Sequence, residues 1–288
     1  MFDAFEEAGR QSGLGYSEDL NGFNPEGIAR LDATRKHGRR CSAAVAHLRP
    51  ALARGNVTLL TKAQVLKINM NDNSVSGVTY KHKGKTHSVG ANKEVILSGG
   101  AINSPHLLML SGIGPSKHLR DHGVDLQIDL PGVGQNLQDH SCVILQYACK
   151  KSFPIHKVNQ PHRKLATGIR WVFTRKGIAT SNIWEAGGLI KSSSKAAYPD
   201  IQFHFGPVGF EYDNNKISLL QAFAIHVDQL RPRSRGEVTL KSADPLEKPL
   251  MIFNYLQDPE DLAEMVRGVK KAFLTPLTIS AKSSGSCK

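Results

Sequence analysis

The spacing of apolar residues changes near residue 55, and the change predicts a change of secondary structure. Over residues 42–53 the apolar positions recur at three- and four-residue intervals, and Gly55 follows as a helix-terminating residue. Residues 56–97 are instead rich in β-forming side chains, with a strong turn sequence at 71–73. The pattern predicts helices before residue 55 and strands after it.

A short apolar run at residues 94–97 is typical of a strand buried on both faces. The small residues 98–101 follow, and then a helix with Asn103 or Ser104 as the expected N-cap and Pro105 in its first turn. A strand, a glycine turn and a helix N-terminus together direct backbone N–H groups toward an anion. The same sequence also fits close strand-to-helix packing without a ligand, so the motif alone leaves both interpretations open.

Composition narrows the class of protein. The 288 residues are 40% apolar and 22% charged, which excludes a disordered tail, a collagen-like repeat and a disulfide-stapled module. This length predicts one large or two ordinary domains. The four scattered cysteines fit reduced thiols better than a disulfide framework or a zinc site. No apolar run reaches the roughly 18 residues of a membrane helix, and the acidic start is unlike a signal or transit peptide.

The formal net charge of +12 indicates an anionic partner or an anionic surface. The densest basic stretch is residues 35–40, and Arg231, Arg233 and Arg235 form a second one. Nucleic-acid binding would call for stacking aromatics beside such patches, and these are sparse. The charge therefore favours a basic face near an anionic, phosphate-bearing cofactor or a lipid surface, with peripheral membrane association and no nucleic acid.

Residues 100–114 resemble the second signature of the glucose–methanol–choline (GMC) flavin oxidoreductases. The resemblance extends to residues 130–140, which are similar to the family's crossing between domains, and covers about residues 1–273. Within the family, residues 182–188 and 199–205 are most similar to the choline dehydrogenases.

The resemblance implies an α/β protein, α+β overall, with an incomplete doubly wound FAD-binding domain and an antiparallel-sheet substrate domain. Residues 1–55 would be a helical segment crossing between the domains, and 56–137 would be part of the FAD-binding domain. Residues 138–257 would form the substrate-binding domain. Residues 258–288 would start a helix returning to the FAD-binding domain and end in a divergent tail.

A family member of this kind oxidises a primary alcohol by hydride transfer to FAD while a His takes the hydroxyl proton. The resemblance implies choline as the substrate and betaine aldehyde as the product, on the way to glycine betaine, with an unknown electron acceptor. It also implies a mitochondrial location, or otherwise a cytoplasmic one.

Two segments of the family pattern have no match in this sequence. One is the G-x-G-x-x-G dinucleotide motif, and the other is the segment that carries the catalytic His, so no catalytic residue is assigned. We therefore expect an internal fragment lacking both ends, inactive alone and marginally stable. The alternatives are a non-catalytic paralogue or splice product that acts by binding, and a GMC oxidase of another alcohol.

The resemblance assigns cofactor contacts to five residues. Val65 matches the strand position whose backbone meets the FAD adenine. Ser98, Gly99, Gly100 and Ala101 match the segment that closes over the cofactor. A β-strand valine and a tight glycine turn also fit purely structural roles, so the sequence leaves those open.

Two adjacent residues are assigned to the substrate. By resemblance Glu185 would face the quaternary ammonium of choline, and Trp184 would offer it a π face. Neighbouring strand residues point to opposite sides, so both would need a bulge to line one pocket. A paired structural carboxylate and a core tryptophan are the alternatives.

The histidines do not point to a metal. His118 and His122 are four apart, but no third ligand stands nearby in the sequence, so surface histidines are expected and no metal site is assigned. His204 and His226 lie in strand-like apolar stretches, which favours satisfied core or cleft histidines over catalytic bases. No nucleophile-elbow sequence is present, which argues against a hydrolase.

Overall fold

The computed structural model describes residues 1–149, 157–158, 160–213 and 216–282. The chain divides into two compact units. Unit 1 comprises Met1–Arg54, His140–Arg231 and Asp258–Lys288, and unit 2 comprises Gly55–Asp139 and Pro232–Gln257. Helices and mainly antiparallel strands occur in both units, which confirms the mixed fold class.

Unit 1 is built on a five-stranded antiparallel sheet of β1 (Gly27–Arg30), β9 (Cys142–Ala148), β10 (Ala186–Ile190), β11 (Ile201–Gly206) and β14 (Ala222–Gln229). The strands lie in the order β1–β10–β11–β14–β9. Because successive strand residues point to opposite faces, β11 and β14 each present an apolar row to one face and a polar row to the other.

Two helices cover the apolar face of this sheet, α1 (Phe2–Gln11) and α6 (Pro259–Lys282). Phe5 from α1 stacks on Phe205 at 4.5 Å between ring centroids, and both rings are fully buried. Burying this face is the main source of stability in unit 1.

The remaining elements of unit 1 lie outside that sheet. They are the hairpin of β2 (Arg35–Lys36) and β3 (Arg39–Arg40), a π-helical turn (Ala44–Leu48) leading into α2 (Arg49–Ala53), α5 (Pro161–Thr174), a 3-10 turn (Ile178–Thr180), and the hairpin of β12 (Gly209–Asp213) and β13 (Lys216–Leu220). The helix predicted over residues 42–53 is confirmed, although its first part has π geometry.

Unit 2 contains an antiparallel sheet of β4 (Ala63–Asn71), β5 (Ser74–His82) and β6 (Lys85–Gly90). Its other elements are α3 (Gly100–Leu110), α4 (Ser116–Asp121), the parallel pair β7 (Ile113–Gly114) and β8 (Ile128–Asp129), and the antiparallel pair β15 (Glu237–Thr239) and β16 (Leu250–Ile252). Its core contains Met109, Leu119, Val133, Leu137, Val238 and Leu240.

The prediction of a buried strand at residues 94–97 is wrong. These residues are irregular, Ile96 is 76% exposed, and no strand among the described residues pairs with them. An apolar run becomes a buried strand only where neighbouring strands satisfy its backbone groups. The following helix begins at Gly100, ahead of the predicted caps, and Pro105 lies inside it.

The two units differ from the predicted domains from residue 232 onward. Residues 232–257 belong to unit 2, because β15 contacts α3 and Val238 enters the unit 2 core. The helix that begins at Pro259 packs on α1 and β14 of unit 1. Gln229 secures it there, donating from its side-chain amide to Asp261 at 3.0 Å.

Candidate functional site

A cavity of about 580 Å³ opens on the polar face of the unit 1 sheet, large enough for a small molecule. We call it the sheet cavity. It is lined by Leu20, Asn21, Leu31, Asp32, Asn182, Trp184, Leu189, Gln202, His204, His226 and Asp228. Two of these side chains are carboxylic acids and none is Lys or Arg. The sheet cavity is therefore anionic in a chain whose net charge is +12.

Asp228 is the best-anchored acidic group of the sheet cavity. Its carboxylate accepts a hydrogen bond from His204 Nδ1 at 2.8 Å. Burial alone would raise the pKa of Asp228, but hydrogen bonds from His204 and Cys142 outweigh it and hold that pKa below its ordinary value. Partial desolvation of the thiol and its bond to Asp228 raise the pKa of Cys142 to about 12, so Cys142 stays a neutral donor. Asp228 therefore remains a carboxylate at neutral pH.

His226 lies directly across from His204 in the register of β11 and β14. Its ring meets the edge of Trp184 at 4.4 Å between centroids. Burial lowers the pKa of His226, so the imidazole is neutral near pH 7. Its Nε2 is buried and has no hydrogen-bond partner among the described residues. His226 is thus a cleft histidine, but not the satisfied one that the sequence favoured.

Acidification should destabilise the chain, because His226, His106 and His118 all have pKa values lowered by burial from the ordinary 6.5. The unfolded chain then binds protons more readily than the folded one. The stability that these three histidines contribute is fully present above about pH 6.5. It is lost as the pH falls toward their lower pKa values in the folded chain. We expect the melting temperature from circular dichroism to fall over that window.

The variant His226→Gln should weaken this pH dependence, and His37→Gln, which alters a histidine exposed to solvent, should leave it as it is. A His226→Gln chain whose melting temperature falls as steeply as that of the wild type would contradict the buried, neutral state of His226.

Trp184 forms one wall of the sheet cavity and lies over Gly206. A Cβ on Gly206 would approach the indole to 2.5 Å, so a glycine is needed there for the ring to keep its place. Ile183, just before Trp184, has a φ of +76°, which β-branched residues rarely adopt. Its N–H donates to the Ser181 hydroxyl at 3.0 Å, which holds this bend.

Glu185 does not line the sheet cavity. Its carboxylate pairs with the Arg35 guanidinium at 3.3 Å, and Arg35 also donates to the carbonyl of Thr180 at 2.9 Å. The backbone carbonyl of Glu185 accepts from the N–H of Leu31, next to β1. The structure thus brings Trp184 into the sheet cavity and places the neighbouring Glu185 in an ion pair.

The five residues assigned to the cofactor lie in unit 2. Ser98, Gly99, Gly100 and Ala101 form an exposed turn at the start of α3. Gly100 has a φ of +81°, and a Cβ there would meet no atom within 4 Å, so the turn is open to a ligand. Val65 is half-buried on β4, where the pairing register with β5 shifts. An open glycine turn at a helix N-terminus fits the phosphate-bearing part of FAD.

No group of three or more His, Cys, Asp or Glu side chains within the described ranges is placed to hold a metal ion. His118 is half-buried rather than on the surface, and its Nε2 accepts from the N–H of Leu240 at 2.9 Å. Its role is therefore to hold the strand segment after β15.

Reasoning from the sequence missed Asp228, Asp32 and Cys142 as members of one site. One signal was present: His226 and Asp228 are two apart in an apolar strand, so they share a face. The partners of that face come from other strands and depend on register, which the sequence alone does not reveal.

Comparisons with known proteins agree with the resemblance seen in the sequence. The GMC oxidoreductase family models match residues 1–142 and residues 232–275. The chain is 44% identical over 272 residues to the oxygen-dependent choline dehydrogenases of Staphylococcus saprophyticus and Staphylococcus xylosus. These alignments cover 94% of this chain and 48% of each relative, so the chain spans about half the length of the curated relatives it matches.

Solved structures show the same fold. A structure of Aspergillus oryzae RIB40 formate oxidase, concerned with FAD modification, has a TM-score of 0.83 and 25% identity, covering 95% of this chain and 52% of that one. Pyridoxine 4-oxidase from Mesorbium loti has a TM-score of 0.79 and 26% identity, covering 99% and 52%. The family and its structural neighbours support FAD as the cofactor. From its sequence signature, its two matched family models and its fold, this chain belongs to the GMC oxidoreductase family.

Proposed function

We propose that this chain supplies the substrate cavity, and part of the cofactor site, of an FAD-dependent oxidoreductase that converts choline to betaine aldehyde. The observation that carries the proposal is the charge of the sheet cavity, which has two carboxylates and no Lys or Arg. The sequence similarity to choline dehydrogenases supports the same substrate.

The sheet cavity suits a quaternary ammonium. Such a cation cannot donate a hydrogen bond, so it is recognised by nearby negative charge and by aromatic faces. Asp228 and Asp32 supply the charge, and Trp184 supplies the ring. Because His226 is neutral, it adds no repulsion.

The buried Nε2 of His226 has the chemistry to hold the other end of the substrate. It lacks a partner among the described residues, and the hydroxyl of an alcohol would satisfy it. Asp228 fixes the orientation of His204 through Nδ1, which leaves the other ring nitrogen of His204 available as a second polar contact. These residues would bind and orient the alcohol.

Bound FAD would supply the hydride acceptor. The turn of Ser98, Gly99, Gly100 and Ala101 would hold its phosphate-bearing part, and the backbone of Val65 would meet the adenine. The electron acceptor that regenerates the flavin is not assigned. A mitochondrial location, with the cytoplasm as the alternative, stays a prediction, since the two choline dehydrogenases compared above are bacterial.

Two measurements test cofactor and substrate separately. The visible spectrum of the purified chain, with and without added FAD and after acid release, should show a flavin band in proportion to protein.

Choline binding is followed without flavin by the fluorescence of Trp184 in a Trp171→Phe background. We expect choline to bind at least tenfold more tightly than 3,3-dimethylbutan-1-ol, its neutral isostere. Equal affinities would contradict the cation site and favour a GMC oxidase of another alcohol.

Gly206→Ala should displace the Trp184 indole from its position in the cavity wall, because the new methyl group would lie 2.5 Å from the ring. We expect a shift in Trp184 emission and an affinity for choline about tenfold lower, since the aromatic wall is displaced. Gly168→Ala is the matched control, because a Cβ there meets no atom within 4 Å. Unchanged emission in Gly206→Ala would show that the indole does not depend on Gly206.

A further inference from the structure

A row of three residues borders the sheet cavity on the same face of the unit 1 sheet. Ala224 of β14 pairs with Gly206 of β11 on one side and with Gln146 of β9 on the other. Residues directly opposite each other in an antiparallel sheet point to the same face. His204 and His226, which line the cavity, are paired two residues away along β11 and β14, so the row lies next to them on the cavity face.

Two members of this row have a small side chain or none, which leaves space above the sheet. The Trp184 indole lies over Gly206. Ala224 is fully buried even though it is on the face that carries the polar residues of β14. β12 contacts both β14 and β9, so the β12–β13 hairpin lies close to this part of the sheet. The aromatic wall of the sheet cavity and the hairpin therefore meet beside the row.

Gln146, the third member of the row, binds the first strand of that hairpin through both ends of its side-chain amide. Its Oε1 accepts from the N–H of Phe210 at 2.6 Å, and its Nε2 donates to the carbonyl of the same residue at 3.0 Å. Two residues of an antiparallel sheet exchange N–H and C=O bonds in the same way. The amide of Gln146 thus takes the place of a paired backbone amide and fixes the position of the Phe210 backbone.

Gly209, just before Phe210, allows the hairpin to approach the sheet this closely. A Cβ at Gly209 would lie 2.6 Å from the Cβ of Ala222 and 2.9 Å from the Gln146 Oε1. A larger residue would therefore push the strand away from the amide that holds it.

The bonds from Gln146 bring the Phe210 ring against Trp184. The two ring centroids are 6.1 Å apart, with the planes inclined by 32°, which is within the usual range for an aromatic pair. Phe210 does not line the sheet cavity, whereas Trp184 and His226 do. The indole therefore has Gly206 beneath it, the edge contact with His226 inside the cavity, and Phe210 outside the cavity.

We infer that Gln146 is a positioning residue of the sheet cavity, which holds Phe210 against Trp184 and so fixes the aromatic wall. Gln146 does not line the cavity itself, so it acts through Phe210. The consequence for choline rests on the proposed function, in which the indole is the π face that a quaternary ammonium meets. An ammonium–π contact depends on the distance and direction of the ring, so a displaced indole would bind the cation less well.

The position of the indole is measured first without any ligand, by acrylamide quenching of Trp184 fluorescence in the Trp171→Phe background. Gln146→Leu keeps the size of the side chain and removes both hydrogen bonds. We expect the quenching constant to rise about twofold, because the indole becomes more accessible. Gln257→Leu is the matched control, since it removes an exposed glutamine of unit 2 that donates to the Asn254 side chain at 3.1 Å. It should quench as the parent does.

A double-mutant cycle tests whether Gln146 acts through Phe210. Phe210→Leu removes the ring that contacts Trp184 and should also raise the quenching constant. Gln146→Leu with Phe210→Leu should then quench no more than the stronger single variant, because both changes interrupt one path. Additive effects of the two substitutions would overturn the inference, and so would a Gln146→Leu chain that quenches as the parent does.

Choline binding to the same variants connects the position of the indole to the cation. We expect Gln146→Leu to lower the affinity for choline about fivefold and the affinity for 3,3-dimethylbutan-1-ol much less, since only choline carries the charge. Unchanged choline affinity with a more accessible indole would overturn the role of Gln146 in the cation site. If no chain binds choline while the quenching cycle gives the expected result, the proposed function fails and the positioning of Trp184 by Gln146 stands.

Discussion

Replacing Asp228 with asparagine should lower the affinity of the sheet cavity for choline by about a hundredfold. Asp228 is held as a carboxylate by His204 and Cys142, and it lines the cavity. Loss of a buried charge facing a cation costs about 2–5 kcal/mol, and each 1.4 kcal/mol is tenfold in affinity. The measurement is the Trp184 fluorescence titration, with the neutral isostere as reference. Affinity for the isostere should change much less, because it carries no charge.

Glu185→Gln is the matched control for Asp228→Asn, since it also replaces one carboxylate by an amide, at the residue next to Trp184. Glu185 is paired with Arg35 and does not line the cavity, so its removal should cost choline affinity less than about threefold. A larger loss in Glu185→Gln than in Asp228→Asn would reverse the assignment and return the ammonium contact to Glu185, as the resemblance implies.

The sequence predicted most of what depends on local pattern. The helix over residues 42–53, the strands of the β4–β6 sheet and the helix after the glycine turn follow from spacing and turn residues. The prediction that residues 1–55 are a helical segment is wrong at β1, which pairs with β10 in the unit 1 sheet. Trp184 was also singled out, and it lines the sheet cavity. Family resemblance, rather than spacing, is what selected it.

The sequence did not predict what depends on register. His204, His226 and Asp228 meet because β11 and β14 pair with one particular offset, and Cys142 joins them from β9. A shift of one residue would turn each of these side chains to the other face. The error at residues 94–97 has the same origin, since a buried strand is defined by its neighbours as well as by its own apolar residues.

Phe205→Ala should be the most destabilising substitution in unit 1, lowering the free energy of unfolding by about 3–5 kcal/mol. Phe205 is fully buried, stacks on Phe5 at 4.5 Å and contacts the rings of Phe2 and Phe223. Its loss would leave a cavity between α1 and the sheet, at a site that close packing prevents from collapsing. Urea unfolding followed by far-ultraviolet circular dichroism measures the change, with an unchanged slope showing that compactness is retained.

Phe23→Ala is the control, because Phe23 is fully exposed and its truncation should cost less than about 0.5 kcal/mol. A loss below about 1 kcal/mol in Phe205→Ala would mean that α1 is not packed on the sheet as described. The variant also bears on function, since Phe205 follows His204 on β11. If the aromatic layer holds that strand, then Phe205→Ala should weaken choline binding in the fraction that stays folded, and Phe23→Ala should not.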